Sequence, residues 1–166
     1  MSQDRVRVGW GYDSHRFVKG RRLVLGGVVI PHRVGLQGHS DADAVIHAVI
    51  DALLGAAAYG DIGTLFPDSD PAYREADSQR LLKDVVRRIQ PRFQIGNVDV
   101  TVITQEPKLG PYKSRMRVRL SRLLSVPLKD VSVKAKTNEG MGFIGRGQGL
   151  AAVAVAVLSR KKRKGR

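Results

Sequence analysis

Asp13 and His15 lie two positions apart in Gly11-Tyr12-Asp13-Ser14-His15, directly after a stretch that reads as a strand, and His47 stands far downstream in an apolar segment. On extended backbone, residues two apart point to the same side, so Asp13 and His15 share a face. If the fold brings His47 to them, two imidazoles and one carboxylate meet. That is the donor set of a catalytic zinc, with three protein ligands and a fourth position open to water or substrate. The chain has no cysteine, which leaves no sulfur ligand for a closed structural site. The competing reading makes His47, one of four histidines, a core residue satisfied by its neighbours. Spacing alone leaves both open.

Placing His47 falls to the segment Gly38 to Gly63, GHSDADAVIHAVIDALLGAAAYGDIG. Asp43, His47 and Asp51 recur every four residues, which stacks them on one face of a helix, while Ala44, Val45, Ile46, Val49, Ile50, Leu53 and Leu54 cover the rest. A polar stripe on a buried helix is costly unless each group has a partner. Ser40 and Asp41 read as the N-cap, Gly55 and the alanine run as the fading end. Asp51, one turn beyond His47, is the expected partner of its imidazole.

The remaining elements follow in order. Arg5 to Gly11 reads as a first strand, and Leu23–Leu25 with Val28–Ile30 as a hairpin about Gly26-Gly27. Gly60 to Ala72, rich in Gly, Asp and Pro, reads as a long loop, the kind that usually carries function. Ala76 to Ile89 has Leu81, Leu82, Val85, Val86 and Ile89 at helical spacing and a cap near Asp77 or Ser78. Asn97 to Thr104 alternates as a strand. Pro111 opens a helix to Leu124, with Met116, Leu120, Leu123 and Leu124 inward and a basic row outward. Val131 to Ala135 and Leu150 to Ser159 are strands. The glycine-rich run Gly140 to Gly149 fits neither a Walker loop nor a dinucleotide fingerprint. These elements predict an α+β fold: a mixed sheet of four or five strands with three helices packed on one face.

The chain has 166 residues, 42% hydrophobic and 27% charged, and suits one domain over residues 1–159 followed by a basic, disordered tail over 160–166. Its apolar runs are too short to span a bilayer and no signal or transit segment is evident, so a cytoplasmic location is expected. The net charge of +14 raises a nucleic-acid reading. Its distribution argues otherwise, because six positive charges sit in the tail and the span His39 to Asp77 holds eight of the fifteen acids with a single Arg. Only 5% of the residues are aromatic, too few for stacking platforms.

Five segments in order, Gly-Tyr-Asp-Ser-His, Gly38-His39-Ser40-Asp41-Ala42-Asp43, Gly60-Asp61-Ile62-Gly63, Phe66-Pro67-Asp68-Ser69-Asp70 and Lys134-Ala135-Lys136-Thr137-Asn138-Glu139, resemble the 2-C-methyl-D-erythritol 2,4-cyclodiphosphate synthases. The resemblance spans nearly the whole chain. It implies that Asp13, His15 and His47 bind zinc and that Glu139 helps hold a second divalent ion, magnesium or manganese. It implies that His39 and Thr137 stabilise the transition state, with Ser40 beside them at the phosphates. Asp61, Ile62, Gly63, Phe66, Pro67, Asp68, Ser69 and Asp70 match the segments that hold the methylerythritol part. Thr104, Gln105, Glu106, Pro107, Lys108, Leu109, Gly110, Lys136 and Asn138 match those that hold cytidine. Lys136 stands where relatives often carry a small hydroxyl residue, and the tail has no counterpart.

The implied reaction is internal: the 2-phosphate of 4-diphosphocytidyl-2-C-methyl-D-erythritol 2-phosphate attacks the β-phosphorus and expels CMP, a step of non-mevalonate isoprenoid synthesis. The implied assembly is a homotrimer with each site at a subunit boundary. Phe143 and Arg146 match residues near a threefold axis, where relatives can enclose an isoprenoid in a central cavity. A zinc phosphohydrolase would use the same Asp-x-His and His set with a water nucleophile. A basic nucleic-acid module would explain the tail but not the acidic span.

Overall fold

The first strand runs past Gly11, the end that the sequence pattern suggests, because a long partner pairs with it from Val6 to Arg16. The computed structural model describes residues 6–67, 69–73 and 76–161. Its strands are β1 (Val6–Val18), β2 (Leu23–Leu25), β3 (Val28–Ile30), β4 (Gly35–Leu36), β5 (Phe93–Ile103), β6 (Val131–Lys136) and β7 (Gly149–Arg160). β7 pairs with β1 from Val6↔Ser159 to Arg16↔Gly149, so Asp13 and His15 lie inside a strand. Five strands form one sheet in the order β4-β1-β7-β5-β6. Only β5 and β6 are parallel, the other pairings in this sheet being antiparallel. β2 and β3 form a separate hairpin. Gly26 and Gly27 turn it at φ of 58° and 71°, the left-handed values that a two-residue hairpin turn requires.

The fold is therefore α+β with a mixed five-stranded sheet, and its helices lie on one face. They are α1 (Ala44–Ala57), α2 (Ile62–Leu65), α3 (Ser78–Ile89), α4 (Lys113–Leu124) and α5 (Gly142–Gly145), of which α1, α3 and α4 make the layer. The inward residues of α3 and α4 are those that helical periodicity selects. The span Gly60 to Ala72 is not a bare loop. It contains α2 and the start of a 3₁₀ turn, Pro71–Tyr73.

Depth of packing between α1 and β1 is set by small residues. Alternate residues of β1, Gly9, Gly11, Asp13 and His15, face the helix layer. A β-carbon on Gly9 would fall 1.9 Å from the Ala52 carbonyl oxygen, and one on Gly11 2.0 Å from that of Ala48. The helix backbone thus rests on the strand backbone. His47, next to Ala48, arrives beside Asp13, two residues beyond Gly11.

α1 begins later than its sequence suggests. Its N-cap is Asp43, not Ser40 or Asp41, and the Asp43 side chain accepts the Ile46 N–H at 3.1 Å. Asp43 is recruited because it also serves the hairpin. The same fully buried carboxylate accepts the Gly26 and Gly27 N–H groups at 2.8 and 2.6 Å, joining the hairpin turn to the helix. Burial pushes this carboxyl up to about 6, and the nearby Asp41 charge adds to the shift, against the pull of the three amide donors. Asp43 therefore belongs to the cap rather than to a stripe along the helix. At the other end the helix passes Gly55 and stops at Ala58, which adopts φ 59°.

The opposite face of the sheet has no helix among the described residues. Val6, Val8, Trp10 and Tyr12 are 67, 65, 62 and 44% exposed along β1. Trp10 stacks on Tyr12 with ring centres 6.1 Å apart. Val153, Val155 and Val157 of β7 lie half-buried beside them. Contiguous exposed apolar surface of this kind marks an interaction site.

Candidate active site

Three side chains converge where α1 crosses β1. Asp13 Oδ2 lies 2.8 Å from His15 Nε2 and 2.9 Å from His47 Nδ1, and the two ring nitrogens are 3.4 Å apart. Among the described residues this is the cluster of three donor atoms able to hold a metal, all within 4.8 Å of one another. Tetrahedral ligands at zinc distances of about 2.0–2.1 Å stand about 3.3 Å apart, so the arrangement fits such an ion with little adjustment. Burial alone would raise the Asp13 carboxyl, but the hydrogen bonds and charges of His15 and His47 outweigh it and hold it well below the usual carboxylate range. His47 shows the converse. Burial would depress it, yet the Asp13 hydrogen bond and the charges of Asp13, Asp43 and Asp41 lift it above 6.5.

The other nitrogen of His47 does not meet Asp51. A helical side chain tilts toward the helix N-terminus, so the ring leans back over the preceding turn and away from a residue one turn ahead. His47 Nε2 lies 2.9 Å from Ser78 Oγ and 3.1 Å from Ser40 Oγ. Ser78 Oγ in turn donates to Asp41 Oδ1, and the Ser78 N–H donates to Asp41 Oδ2 at 3.2 Å. Asp51 accepts the Ile62 N–H at 2.8 Å and so ties α2 to α1. Sequence reasoning reads Ser78 only as a helix start, and nothing in its spacing links it to His47.

A cavity of about 220 Å³ opens over the cluster, lined by Asp13, His15, Gly38, His39, Ser40, His47, Ile62, Gly63, Phe66, Tyr73 and Leu81. Most of these are site residues or their neighbours in the sequence motifs, while Tyr73 and Leu81 escape that reading because they look like ordinary apolar packing. Phe66 is 6% exposed and meets the Tyr73 ring edge-on at 5.3 Å. Arg21 fixes the rim, donating to the Gly38 carbonyl at 2.6 Å and to that of Ser40. Asp61 caps α2 by accepting the Thr64 N–H and hydroxyl at 2.8 and 2.7 Å. Pro67, Ser69 and Asp70 are exposed beyond Phe66, and Asp68 lies outside the described residues.

The segments implied for cytidine gather elsewhere. Thr104 N–H donates to the Lys136 carbonyl at 2.9 Å, the Thr104 hydroxyl to that of Glu106 at 2.5 Å, and Gly140 N–H to Gln105 Oε1 at 3.2 Å. Thr104 and Leu109 are buried, while Glu106, Lys108, Gly110 and Lys136 are exposed and Gln105, Pro107 and Asn138 half-buried. Thr137 Oγ1 donates to Glu139 Oε1 at 2.5 Å. Sheet register places this group at the same end as the metal cluster, since Ser14, Ala151, Ile103 and Lys136 lie on one row across β1, β7, β5 and β6. The two groups are three strand spacings apart, about 14 Å. Within one chain Glu139 does not join the Asp13, His15, His47 cluster. Phe143, 43% exposed, lines a groove with His15 and Phe17, and Arg146 lines another with Lys19 and His32.

Residues 6–159 match the model of the YgbB family. A protein of Moorella thermoacetica named 2-C-methyl-D-erythritol 2,4-cyclodiphosphate synthase is 54% identical over 154 residues, 92% of this chain and 94% of that protein. One of Cupriavidus metallidurans with the same name is 54% identical over 162 residues, covering 97% and 96%. Among solved structures, the bifunctional IspDF of Campylobacter jejuni is 38% identical with a TM-score of 0.91, over 95% of this chain and 43% of that longer one. A Plasmodium falciparum IspF in complex with CDP is 34% identical with a TM-score of 0.83, over 97% of this chain and all of that one. No helix among the described residues is long and apolar enough to cross a membrane.

Proposed function

The chain belongs to the YgbB family of 2-C-methyl-D-erythritol 2,4-cyclodiphosphate synthases, and from that premise we propose how its own residues carry out the reaction. The activity is that of a phosphorus–oxygen lyase of isoprenoid synthesis. A 2-phosphate oxygen of 4-diphosphocytidyl-2-C-methyl-D-erythritol 2-phosphate forms a bond to the β-phosphorus. The bond from that phosphorus to the bridging oxygen breaks, and CMP leaves with the electron pair. Neither water nor a protein nucleophile is consumed. Neither the phosphohydrolase reading nor the nucleic-acid reading is favoured by these relatives.

Two mutually repelling anions must be brought together, so the protein's contribution is positioning and charge neutralisation. Asp13, His15 and His47 hold a zinc ion and Glu139 a magnesium or manganese ion, which when bound supply Lewis acidity at the β-phosphate and neutralise charge on the leaving CMP. His39 and Ser40, on the pocket rim, donate hydrogen bonds to phosphate oxygens ahead of the N-terminus of α1. Thr137 does the same from the cytidine side. Asp61, Ile62, Gly63, Phe66, Pro67, Asp68, Ser69 and Asp70 receive the methylerythritol part of the substrate. Residues Thr104 to Gly110, with Lys136 and Asn138, receive the cytidine. The CDP complex of the Plasmodium falciparum relative supports a cytidine diphosphate-linked substrate.

The site is completed by assembly. The apolar sheet face carrying Trp10 and Tyr12 supports a homotrimer, in which the β6 edge of one subunit meets the metal cluster of the next. Phe143 and Arg146 then stand near the threefold axis, where an isoprenoid can be enclosed. Residues 1–159 act as one domain, the tail plays no part in turnover, and the enzyme works in the cytoplasm. The observation that carries the reading is the convergence of Asp13, His15 and His47 in a pocket also lined by Ile62, Gly63 and Phe66. Turnover in H₂¹⁸O tests it. A cyclisation leaves the products unlabelled, whereas one ¹⁸O per turnover in phosphate would show water to be the nucleophile and overturn the assignment.

A further inference from the structure

We infer that the Ser78 hydroxyl, oriented by the Asp41 carboxylate, is the positioning group that commits His47 to bind its metal through Nδ1. The inference rests on the metal-site reading above and extends it to two residues outside the donor set. Ser78 opens α3 and is fully buried. Its Oγ stands between Asp41 Oδ1 and His47 Nε2, 2.9 Å from the latter.

The protons can be counted. A carboxylate only accepts, so the single hydroxyl proton of Ser78 goes to Asp41. The Ser78 N–H holds the second Asp41 oxygen at 3.2 Å, so the carboxylate and serine grip each other twice and the hydroxyl is not free to turn. Ser78 Oγ therefore presents lone pairs to His47 Nε2. That contact is favourable only when Nε2 carries a proton. A neutral imidazole protonated at Nε2 has its lone pair at Nδ1, the atom that meets Asp13 Oδ2 at 2.9 Å and His15 Nε2 at 3.4 Å. Ser40 cannot make this choice alone. Its Oγ lies 3.1 Å from the same nitrogen and accepts the Ala42 N–H, but among the described residues no carboxylate takes its own proton, which it can donate to a bare Nε2. Asp41 lies in the loop ahead of α1 and Ser78 in α3, so docking α3 against that loop is what builds the device.

The test measures zinc affinity by competition with a chromogenic chelator, and the visible bands of the cobalt(II)-substituted protein, with the circular dichroism of each metal-free variant as the fold control. Ser78→Ala is expected to weaken zinc binding about 10- to 100-fold and to alter the cobalt bands. Asp41→Asn keeps the volume and is expected to weaken it less, by up to about tenfold. Asp51→Ala, which touches no ligand, should bind zinc as the unaltered protein does. A folded Ser78→Ala protein that binds zinc within about twofold of the unaltered protein, with the same cobalt spectrum, overturns the inference. If Ser78→Ala does not fold, Asp41→Asn decides by the same criterion. If Ser78→Ala is weakened and Asp41→Asn is not, the carboxylate's part is overturned. Failure of the unaltered protein to bind zinc is a separate result and overturns the metal reading itself.

Discussion

At the scale of residues, the site is governed by where charge is tolerated. His47 is nearly buried, and burial would favour its neutral form, yet Asp13 and the more distant Asp43 and Asp41 raise it above 6.5. In the metal-free protein this stabilisation is complete below the unfolded value and is lost as pH rises through the raised folded one. Asp13 has the opposite sign, its contribution being present above 3.8 and lost as pH falls through its depressed value. Chelator-treated protein should therefore lose thermal stability as pH rises above about 6.5. Zinc affinity should rise in the same direction, because the metal displaces the His47 proton. Calorimetry and zinc titration across that range check both, and a metal-free protein that gains stability would refute the first. Asp43 makes a second case. Asp43→Ala removes a cap and strands two hairpin amides, one buried and one half-buried, a loss of about 2 to 4 kcal/mol in urea unfolding.

At the scale of elements, the decisive contact is α1 lying against the glycines of β1. Gly11→Ala would force a methyl to within 2.0 Å of the Ala48 carbonyl oxygen, so α1 must lift. The expected loss is about 1 to 3 kcal/mol or more, with zinc affinity falling as His47 is drawn from Asp13, measured by unfolding and metal titration. Such a position shows how far sequence periodicity reaches. Asp13, His15 and His47 can be grouped because strand and helix periods put their chemistry on inward faces, and the inward faces of α3 and α4 follow from periodicity alone. The partner of His47 cannot be found that way. Ser78 reaches it only through the docking of α3, thirty-one residues along the chain, whereas Asp51 looks right by spacing and is excluded by the backward tilt of helical side chains. The helix cap is hidden for a similar reason, since the hairpin that recruits Asp43 is a tertiary contact.

At the scale of the whole molecule, one chain carries the Asp13, His15 and His47 cluster and the segments proposed for cytidine at the same end of its sheet but on different strands. In the proposed trimer the exposed face with Trp10 joins the chains. On that proposal Trp10→Asp should reduce a particle of three 18.2 kDa chains to monomers in light scattering, with zinc still bound and turnover lowered on the order of a hundredfold or more. A monomeric unaltered protein with full activity would contradict the shared site. Phosphorus NMR of the protein with the cytidyl-diphospho substrate, magnesium and zinc, beside His47→Ala, separates ring closure from the addition of water. Ring closure gives the paired resonances of a cyclic diphosphate together with CMP, both missing in the variant; a linear methylerythritol bisphosphate with CMP, or an equally active variant, would rule it out.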